Sequence, residues 1–357
     1  MHKVLIHPAD YQDCQEAVDR AFRLFPVPVT GRTVFVKPNV LRPARPEEAI
    51  TTHPAILTAV LNALERMDPA RIIVGDNPGL HGYGANEASF ERSGLLAASG
   101  PHFRNIGQEA RDVPFRQDYG GTVSVSRAVL DADVFISLPK FKTHGLTVIT
   151  GGIKNSYGII PGALKAAIHR TAGSPERFQE VVTDVFAIRP PDLVIMDAVL
   201  GMQGNGPAST ELRWVGKVLA SDNAVALDAV VARMMGVDPG SLAFLRRAKE
   251  LGLGDYDESA IDIEGTLQVI EGYKVPVPAE TQDKTGKLQE LFAHRTSMRP
   301  TADPALCTGC GTCVEQCPVQ ALSLWENVAV VDAEKCIACF CCQEMCPEKA
   351  ITLTARQ

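Results

Sequence analysis

Cysteine is almost absent from most of this sequence: of its 10 cysteines, only Cys14 lies before residue 307. Aromatic residues make up only 6%, basic residues are not in excess, and no apolar stretch approaches the roughly 20 residues of a transmembrane helix. The start of the sequence has no apolar run of signal-peptide length. With a formal net charge of −7, these absences argue against nucleic acid or a membrane as a partner, and we expect a cytoplasmic protein.

The other nine cysteines lie between Cys307 and Cys346 and belong to an internal repeat. The segments CTGCGTCVEQCPVQALSL (307–324) and CIACFCCQEMCPEKAITL (336–353) align so that each ligand-type cysteine recurs 29 residues later. Clustered cysteines in a cytosolic protein are typical of metal ligands, because that compartment keeps thiols reduced. The repeat itself indicates two pseudo-symmetric halves around one small core.

Both halves have the spacing C-x2-C-x2-C-x3-C-P, which is typical of [4Fe–4S] clusters. Three closely spaced thiolates can bind three irons of one cube, and the cysteine before the proline binds the fourth iron of the other cube. Two structural zinc sites are the alternative. Cys341 departs from the spacing and is either a small packing residue that does not bind iron or an alternative ligand or redox-active thiol. We predict two [4Fe–4S] clusters, the first bound by Cys307, Cys310, Cys313 and Cys346 and the second by Cys336, Cys339, Cys342 and Cys317.

These motifs resemble the bacterial two-cluster ferredoxin family, which implies electron transfer with a redox partner protein. Before them, the segment from Tyr273 to Pro300 changes composition: KVPVPAETQDKTGK is followed by the short amphipathic piece LQELFAHR. We interpret this segment as a linker with a connecting helix. The sequence thus predicts an α/β domain over 1–272, a linker over 273–300 and an α+β ferredoxin-like domain over 301–357.

The first 265 or so residues alternate strand-like and helix-like segments. This alternation predicts an α/β domain with a mainly parallel sheet. Continuous apolar runs predict strands that are buried on both faces at Thr33–Val36, Arg71–Val74, Val134–Leu138, Asp192–Met196 and Val215–Ala220. Helices, one of them with Asp222 as its N-cap, are predicted at Pro54–Met67, Glu87–Ala98, Pro175–Ile188, Asn223–Met235 and Ser241–Leu251.

Polar residues follow each predicted strand, and in open α/β sheets ligands bind outside the carboxyl ends of the strands. If the five strands are parallel neighbours, these residues share one rim. The densest stretch is 139–162, in which lysines and His144 stand among glycines that allow close approach of the backbone. Lysines and exposed backbone N–H groups form a pocket for phosphate or carboxylate, although a solvated glycine-rich loop is the alternative.

The candidate residues at this rim fall into two groups. His144 is a candidate proton donor, or else a structural histidine, and Lys140 and Lys154 are placed with it as candidate catalytic residues. The candidate ligand-binding residues are Lys37, Asn39, Asp76, Lys142, Asn155 and Asp197.

Seven segments taken together are similar to the DUF362 family: KPNV (37–40), THP (52–54), GDNPG (75–79), LPKFKTH (138–144), TGGIKNSYG (150–158), GNGP (204–207) and LASDNAVALDAVVARMMGVDP (219–239). Many members carry a ferredoxin module at one end. The general function of the family is unassigned, so the resemblance implies a fold and candidate positions without a reaction. It adds His53 and Asp228 as candidates, the latter with capping or packing as the alternative.

Two classes of function remain open. In the first, an enzyme passes electrons through the clusters to an anionic substrate or cofactor at the rim. In the second, the protein is a non-catalytic electron carrier or a partner in metallocentre maturation. A third possible function is that of a structural scaffold in which the clusters only stabilise the fold.

Overall fold

The computed structural model describes residues 1–79, 85–161, 164–165, 168, 172, 175–276, 298–336, 339 and 341–355. The strands are, in chain order, β1 (His2–Pro8), β2 (Thr33–Pro38), β3 (Arg71–Val74), β4 (Ala110–Pro114), β5 (Thr122–Ser126), β6 (Val134–Leu138), β7 (Lys140–His144), β8 (Val148–Thr150), β9 (Leu193–Met202), β10 (Leu212–Ser221), β11 (Ile261–Glu264), β12 (Met298–Ala302), β13 (Leu322–Trp325), β14 (Val328–Val331) and β15 (Ile351–Ala355).

The α-helices of the described residues are α1 (Cys14–Leu24), α2 (Pro54–Glu65), α3 (Ala85–Arg92), α4 (Leu95–Ser99), α5 (Arg127–Leu130), α6 (Gly152–Asn155), α7 (Pro175–Phe186), α8 (Ala224–Met234), α9 (Ala243–Glu250), α10 (Thr312–Glu315) and α11 (Cys341–Met345). Short 3-10 helices occupy Pro46–Glu48, Gly100–His102, Gln117–Tyr119, Ser156–Ile159, Pro239–Ser241 and Glu258–Ala260. None of the helices in this part of the chain is long and apolar enough to cross a bilayer.

Nine strands form one sheet in the order β11-β1-β10-β9-β6-β2-β3, with β7 beside β9 and β8 beside β7. Parallel pairs join β2 to β3 and β6, and join β6 and β7 to β9. The α/β class with a mainly parallel sheet is therefore confirmed. The predicted strand at Val215–Ala220 belongs to β10, which is antiparallel to β9 and β1. Its following residues, Ser221 and Asp222, therefore lie at the opposite edge from the other strand ends.

Side chains that alternate along the central strands build a core on each face of the sheet. Val34 and Val36 pack on one face with α1 and α2, whereas Phe35 packs on the other with α7, α8 and α9. On that second face the rings of Phe35 and Phe135 lie 5.5 Å apart. Strands that helices cover on both faces have apolar residues at successive positions. These strands could therefore be predicted from continuous apolar runs in the sequence.

Several predicted boundaries differ from the structure for local reasons. The helix predicted at Glu87–Ala98 is divided into α3 and α4 by Gly94, which adopts a left-handed conformation with φ 72°. The N-cap of α8 is Asn223, whose side chain accepts the Ala226 N–H at 3.0 Å, and the prediction of Asp222 was wrong. Strands β9 and β10 extend beyond their predicted ends, and α1 was not predicted.

The cysteine-rich module repeats its structure as well as its sequence. Helices α10 and α11 begin 29 residues apart, and so do β13 and β15. Strand β12 pairs with β15 and β13 pairs with β14, both antiparallel, around a small core that includes Cys313, Cys342 and Cys346. The predicted connecting helix falls within 277–297, outside the described residues, and the predicted domain limits stay a prediction.

Candidate functional site

A cavity lies where the ends of β2 and β3 and the strand β7 face the cysteine-rich module. Its empty volume is about 740 Å³, part of it open to solvent, and we call it the lysine cavity. Seven of the nine rim residues predicted in the α/β domain line it: Lys37, Asn39, Asp76, Lys142, His144, Lys154 and Asn155. The module closes another side with Gln316, Cys341, Glu344 and Met345.

Close backbone packing brings these side chains together. A Cβ atom at Gly158 would lie 2.1 Å from Asp76 Oδ1 and 2.5 Å from Lys37 Nζ, so only glycine leaves room for that pair. A Cβ atom at Gly151 would lie 2.1 Å from Asp228 Oδ1. Asp228 accepts the Gly152 and Ile153 N–H groups at 2.6 and 3.0 Å and so caps α6, which carries Lys154 and Asn155 into the cavity.

Two of the cavity's ionisable groups form a buried pair. Lys37 Nζ lies 2.7 Å from Asp76 Oδ1 and donates to Asn155 Oδ1 at 3.2 Å. The other oxygen of Asp76 accepts the Val40 N–H at 2.8 Å. Burial lowers the pKa of Lys37 and raises that of Asp76, and each charge opposes the change in its partner. This pair leaves little charge of its own for a ligand.

Three other lysines of the cavity contact backbone carbonyls or aromatic rings. Lys142 Nζ donates to the Ile50 carbonyl at 2.7 Å, and burial together with the nearby Lys154 charge lowers its pKa to about 7. Within the described ranges, Lys154 Nζ makes no hydrogen bond, and it lies 4.8 Å from the centre of the Tyr157 ring. Lys165 donates to the carbonyls of Asn77 and Pro78, and burial lowers its pKa to about 7. The cavity therefore holds more cationic than acidic groups, which suits an anion.

Lys165 was missed by the sequence prediction. It follows the glycine-rich stretch 139–162, and its only sequence signal is that position. Its side chain reaches the cavity, where the ammonium group donates to the backbone carbonyls of Asn77 and Pro78 at the end of the GDNP segment after β3.

His144 is fixed in one orientation across the contact between the domain and the module. Its Nδ1 accepts the Leu146 N–H at 3.0 Å, so the ring proton is on Nε2, which lies 3.2 Å from Glu344 Oε1. Burial lowers the pKa of His144, which favours the neutral ring. The Nε2 side of His144 therefore faces a carboxylate of the module at the border of the lysine cavity.

Lys140 and Asp197 do not line this cavity. They form an ion pair of 2.7 Å in which both side chains are fully buried. Asp197 also accepts the Tyr11 hydroxyl at 3.1 Å and the His53 backbone N–H at 2.8 Å. The pairing of β7 with β9 shifts register between Lys140 and Lys142, so the two lysines do not share surroundings. His53 itself caps α2 and stacks on the Tyr11 ring at 3.6 Å.

Two further cavities lie inside the module, and four of the predicted cluster ligands surround each. The first cysteine cavity, of about 320 Å³, is lined by Cys307, Cys310, Cys313 and Cys346. The second cysteine cavity, of about 330 Å³, is lined by Cys317, Cys336, Cys339 and Cys342. Each set combines three cysteines of one half with the cysteine before proline of the other half.

The donor set of these cavities fits a [4Fe–4S] cluster, which needs one thiolate for each iron. The backbone N–H groups of Ala321 and Ala350 donate to the sulfurs of Cys317 and Cys346 at 3.2 and 3.3 Å, at equivalent places in the repeat. Burial and the neighbouring cysteines raise the pKa of Cys313 to about 11. Four thiolates this close repel one another, and the positive charge of iron would offset that repulsion.

Cys341 lies between two of the cavities. It lines the second cysteine cavity and also the lysine cavity, and its thiol is 3.9 Å from the Cys339 carbonyl oxygen. Among the described residues of the module, Cys341 is thus the one that lines both the second cysteine cavity and the lysine cavity.

Comparison with known proteins places these features in a family. Residues 34–233 match the model described as "Domain of unknown function (DUF362)", and residues 299–347 match the model described as "4Fe-4S dicluster domain". The chain is 30% identical over 262 residues to the thylakoid-associated protein sll1697 of Synechocystis, which covers 69% of this chain and 77% of that protein.

Two solved structures show weaker similarity. A structural-genomics target from Thermotoga maritima has a TM-score of 0.39 and 12% identity over 69% of this chain, and the lactate racemase apoprotein of Thermoanaerobacterium thermosaccharolyticum has a TM-score of 0.42 and 12% identity over 65%. This chain spans 59% and 56% of those two structures. The matches to the two family models show that the chain belongs to the DUF362 family and joins that domain to a 4Fe–4S dicluster domain.

Proposed function

We propose that this protein transfers electrons through two [4Fe–4S] clusters to an anionic substrate or cofactor that is reduced in the lysine cavity. The observation that supports this most directly is the position of Cys341, which lines both the lysine cavity and the second cysteine cavity. A cluster bound by Cys317, Cys336, Cys339 and Cys342 would face the ligand across this one side chain. Such a cluster supplies one electron at a time.

The cavity wall selects the ligand by charge. Within the described ranges, Lys142 contacts a backbone carbonyl and Lys154 contacts aromatic rings, so a phosphate or carboxylate group would gain two cationic partners without displacing a carboxylate from them. A hydrogen bond to a charged group contributes about 1.5–3 kcal/mol. Tyr157, Met345 and Val40 form an apolar part of the wall. We therefore propose a ligand with an anionic head and a less polar body.

Lysines of the cavity can also supply protons. Reduction adds negative charge to a ligand that is already an anion, and protonation removes that charge. Lys142 and Lys165 have pKa values near 7, so each can give up a proton at neutral pH and regain it from solvent. His144 Nε2 instead lies 3.2 Å from Glu344 Oε1, and we assign His144 to positioning the module carboxylate beside the cavity.

Electrons would enter at the other end of the module. Cys310 of the first cysteine cavity is exposed, and Leu324, which lines that cavity, is 41% exposed. Trp325 follows it in β13 and is 71% exposed. We propose that a redox partner protein contacts this surface, so that electrons pass from the first cluster to the second and then to the cavity.

The test uses the full chain purified without oxygen. We expect about eight irons per chain, because two cubes need eight irons and eight thiolates. A panel of phosphates, nucleotides and carboxylates is then screened for binding and for oxidation of the reduced clusters. Lys154→Ala should weaken binding of the active ligand while iron content and melting temperature stay at the parent values. The matched control is Lys3→Ala, at a lysine that is partly exposed and paired with Asp262.

Two results would contradict the proposal. Zinc without iron would refute the clusters. If Lys154→Ala and Lys142→Ala both bind every ligand as the parent does, the cavity is not a substrate site, and the protein is an electron carrier or a maturation partner.

A further inference from the structure

Thr150 is the last residue of β8, the short strand that pairs with β7 at the lysine cavity. The pairing is antiparallel, and it places Thr150 directly opposite Lys142. Residues that face each other across two antiparallel strands direct their side chains to the same side of the sheet. Lys142 and Thr150 both line the lysine cavity, so the register places a hydroxyl-bearing side chain next to a lysine in one wall.

The hydroxyl group of Thr150 is buried and unsatisfied. The residue is only 3% exposed, and in the part of the chain that the structure describes its Oγ1 has no hydrogen-bond partner. Proteins leave few buried polar groups in this state, because the loss of hydration is then not compensated. An unpartnered hydroxyl group in the wall of a cavity therefore points to a ligand that supplies the missing hydrogen bond.

Other buried threonines show that the fold usually satisfies this group. Thr51 also has an unpartnered hydroxyl group among the described residues, but it does not line the lysine cavity. Thr150 is thus distinguished by an unpartnered hydroxyl group at a cavity wall. Four fully buried threonines instead donate to backbone carbonyls: Thr52, Thr143, Thr147 and Thr183.

We propose that Thr150 is a ligand-binding residue and that its hydroxyl group and the Lys142 ammonium group bind the same anionic group of the ligand. This inference deepens the function proposed above and rests on it. Lys142 directs one N–H at the Ile50 carbonyl at 2.7 Å, so its other N–H groups remain for a ligand. Phosphate and carboxylate oxygens each accept more than one hydrogen bond, and both can therefore accept from the two side chains at once.

The proposal also locates the anionic head of the ligand within the cavity. The head binds at the wall formed by β7 and β8, where the hydroxyl and ammonium groups both donate. The buried pair of Lys37 and Asp76 does not recognise it, because the two charges of that pair compensate each other.

The experiment is titration calorimetry of the full chain, purified without oxygen, below the pKa of Lys142, which is about 7. Inorganic phosphate and acetate are the two probes, and they distinguish the two kinds of anionic group. Thr150→Val removes the hydroxyl group at nearly constant volume and should weaken binding of the preferred probe about tenfold, the loss of one hydrogen bond to a charged group. Thr150→Ser keeps the hydroxyl group and should bind nearly as the parent does.

The melting temperature of the ligand-free variants separates binding from structure. The matched control is Thr183→Val, at a buried threonine of α7 whose hydroxyl group donates to the Phe244 carbonyl at 3.1 Å. This control should melt at a lower temperature than the parent and bind the probe equally well. Thr150→Val removes a hydroxyl group that has no partner among the described residues, so its melting temperature should equal or exceed that of the parent.

Parental affinity in Thr150→Val at the parental iron content would overturn the inference. A fall in its melting temperature as large as that of Thr183→Val would also overturn it, because Oγ1 would then have a partner within the protein. Equal losses of affinity in Thr150→Val and Thr150→Ser would show that the hydroxyl group is not what binds the anion. A parent protein that binds neither probe would refute the lysine cavity as an anion site and this inference with it, whereas the other results leave that site in place.

Discussion

Lys140 and Lys142 are two residues apart in β7 and both are buried, yet their surroundings differ. Lys140 is 2.7 Å from the carboxylate of Asp197, inside a network that also includes Tyr11. Lys142 donates to one backbone carbonyl and faces the lysine cavity. The comparison separates two uses of a buried cation. The Lys140 charge is neutralised by Asp197 and stabilises the fold. The Lys142 charge remains available to a ligand, and its burial lowers the stability of the ligand-free protein.

The largest expected effect tests this difference through stability. Lys140→Met should lower the free energy of unfolding by about 3–5 kcal/mol, because it leaves the Asp197 carboxylate buried without its cation. Lys142→Met removes a buried charge that has no carboxylate partner among the described residues and fills the space with an apolar chain, so it should lower the free energy of unfolding far less. Urea unfolding of the two variants, at equal iron content, measures both values. Equal losses would show that the two lysines do not differ in the way proposed.

The next effect concerns ligand affinity. Lys142→Met should weaken binding of an anion found by screening by about 1.5–3 kcal/mol, the contribution of a charged hydrogen bond. Titration calorimetry of parent and variant measures this loss. The mild variant Lys140→Arg keeps the pair with Asp197 and should bind as the parent does. Weakened binding in Lys140→Arg alone would place the ligand near the Asp197 network instead.

The stability of the ligand-free protein and its affinity for anions should depend on pH with opposite signs. The pKa of Lys142 is about 7 in the fold and near 10.4 in an unfolded chain, so between these values the unfolded state binds more protons. The stability of the ligand-free protein should therefore rise with pH across that window. Anion affinity should fall as pH rises through about 7, because the protonated lysine is the form that binds.

The same experiment on Lys142→Met sharpens the assignment. The free energy of unfolding and the anion affinity should both depend less steeply on pH in this variant. Lys165 should account for the pH dependence that remains. Slopes identical to those of the parent would mean that Lys142 does not titrate in this range.

The smallest effect is expected at Cys341. Cys341→Ala should leave iron content unchanged, because each cysteine cavity already has four other sulfurs in its wall. Iron analysis and the cluster absorbance near 400 nm check this. Loss of iron would show that Cys341 is a ligand, and the separation of the second cluster from the lysine cavity would then be smaller than proposed.

The lysines after Val134–Leu138 were expected to share one rim, and the strand β7 in which they lie was not predicted. Along β7 the side chains alternate, and Lys142 and His144 both line the lysine cavity. The register shift between β7 and β9 breaks that pattern after Lys140, and it depends on a neighbouring strand more than 50 residues away in sequence. Asp197 likewise follows the apolar start of β9, but its partner was visible only in three dimensions.

Local sequence by itself determined the elements whose causes are local. Apolar runs located the central strands because both faces of those strands are buried, and the cysteine spacing indicated iron–sulfur chemistry because each cube needs thiolates at short, regular intervals. The repeat of 29 residues likewise predicted two similar halves.

Only the tertiary structure decided what depends on distant contacts. The module lies against the strand ends, so that Glu344 meets His144 and Cys341 borders the lysine cavity. Burial and the partner of each side chain set its charge and its role, and these depend on surfaces that come together from parts of the chain hundreds of residues apart. That is why the sequence did not single out Lys165, and why two lysines in one short strand have different roles.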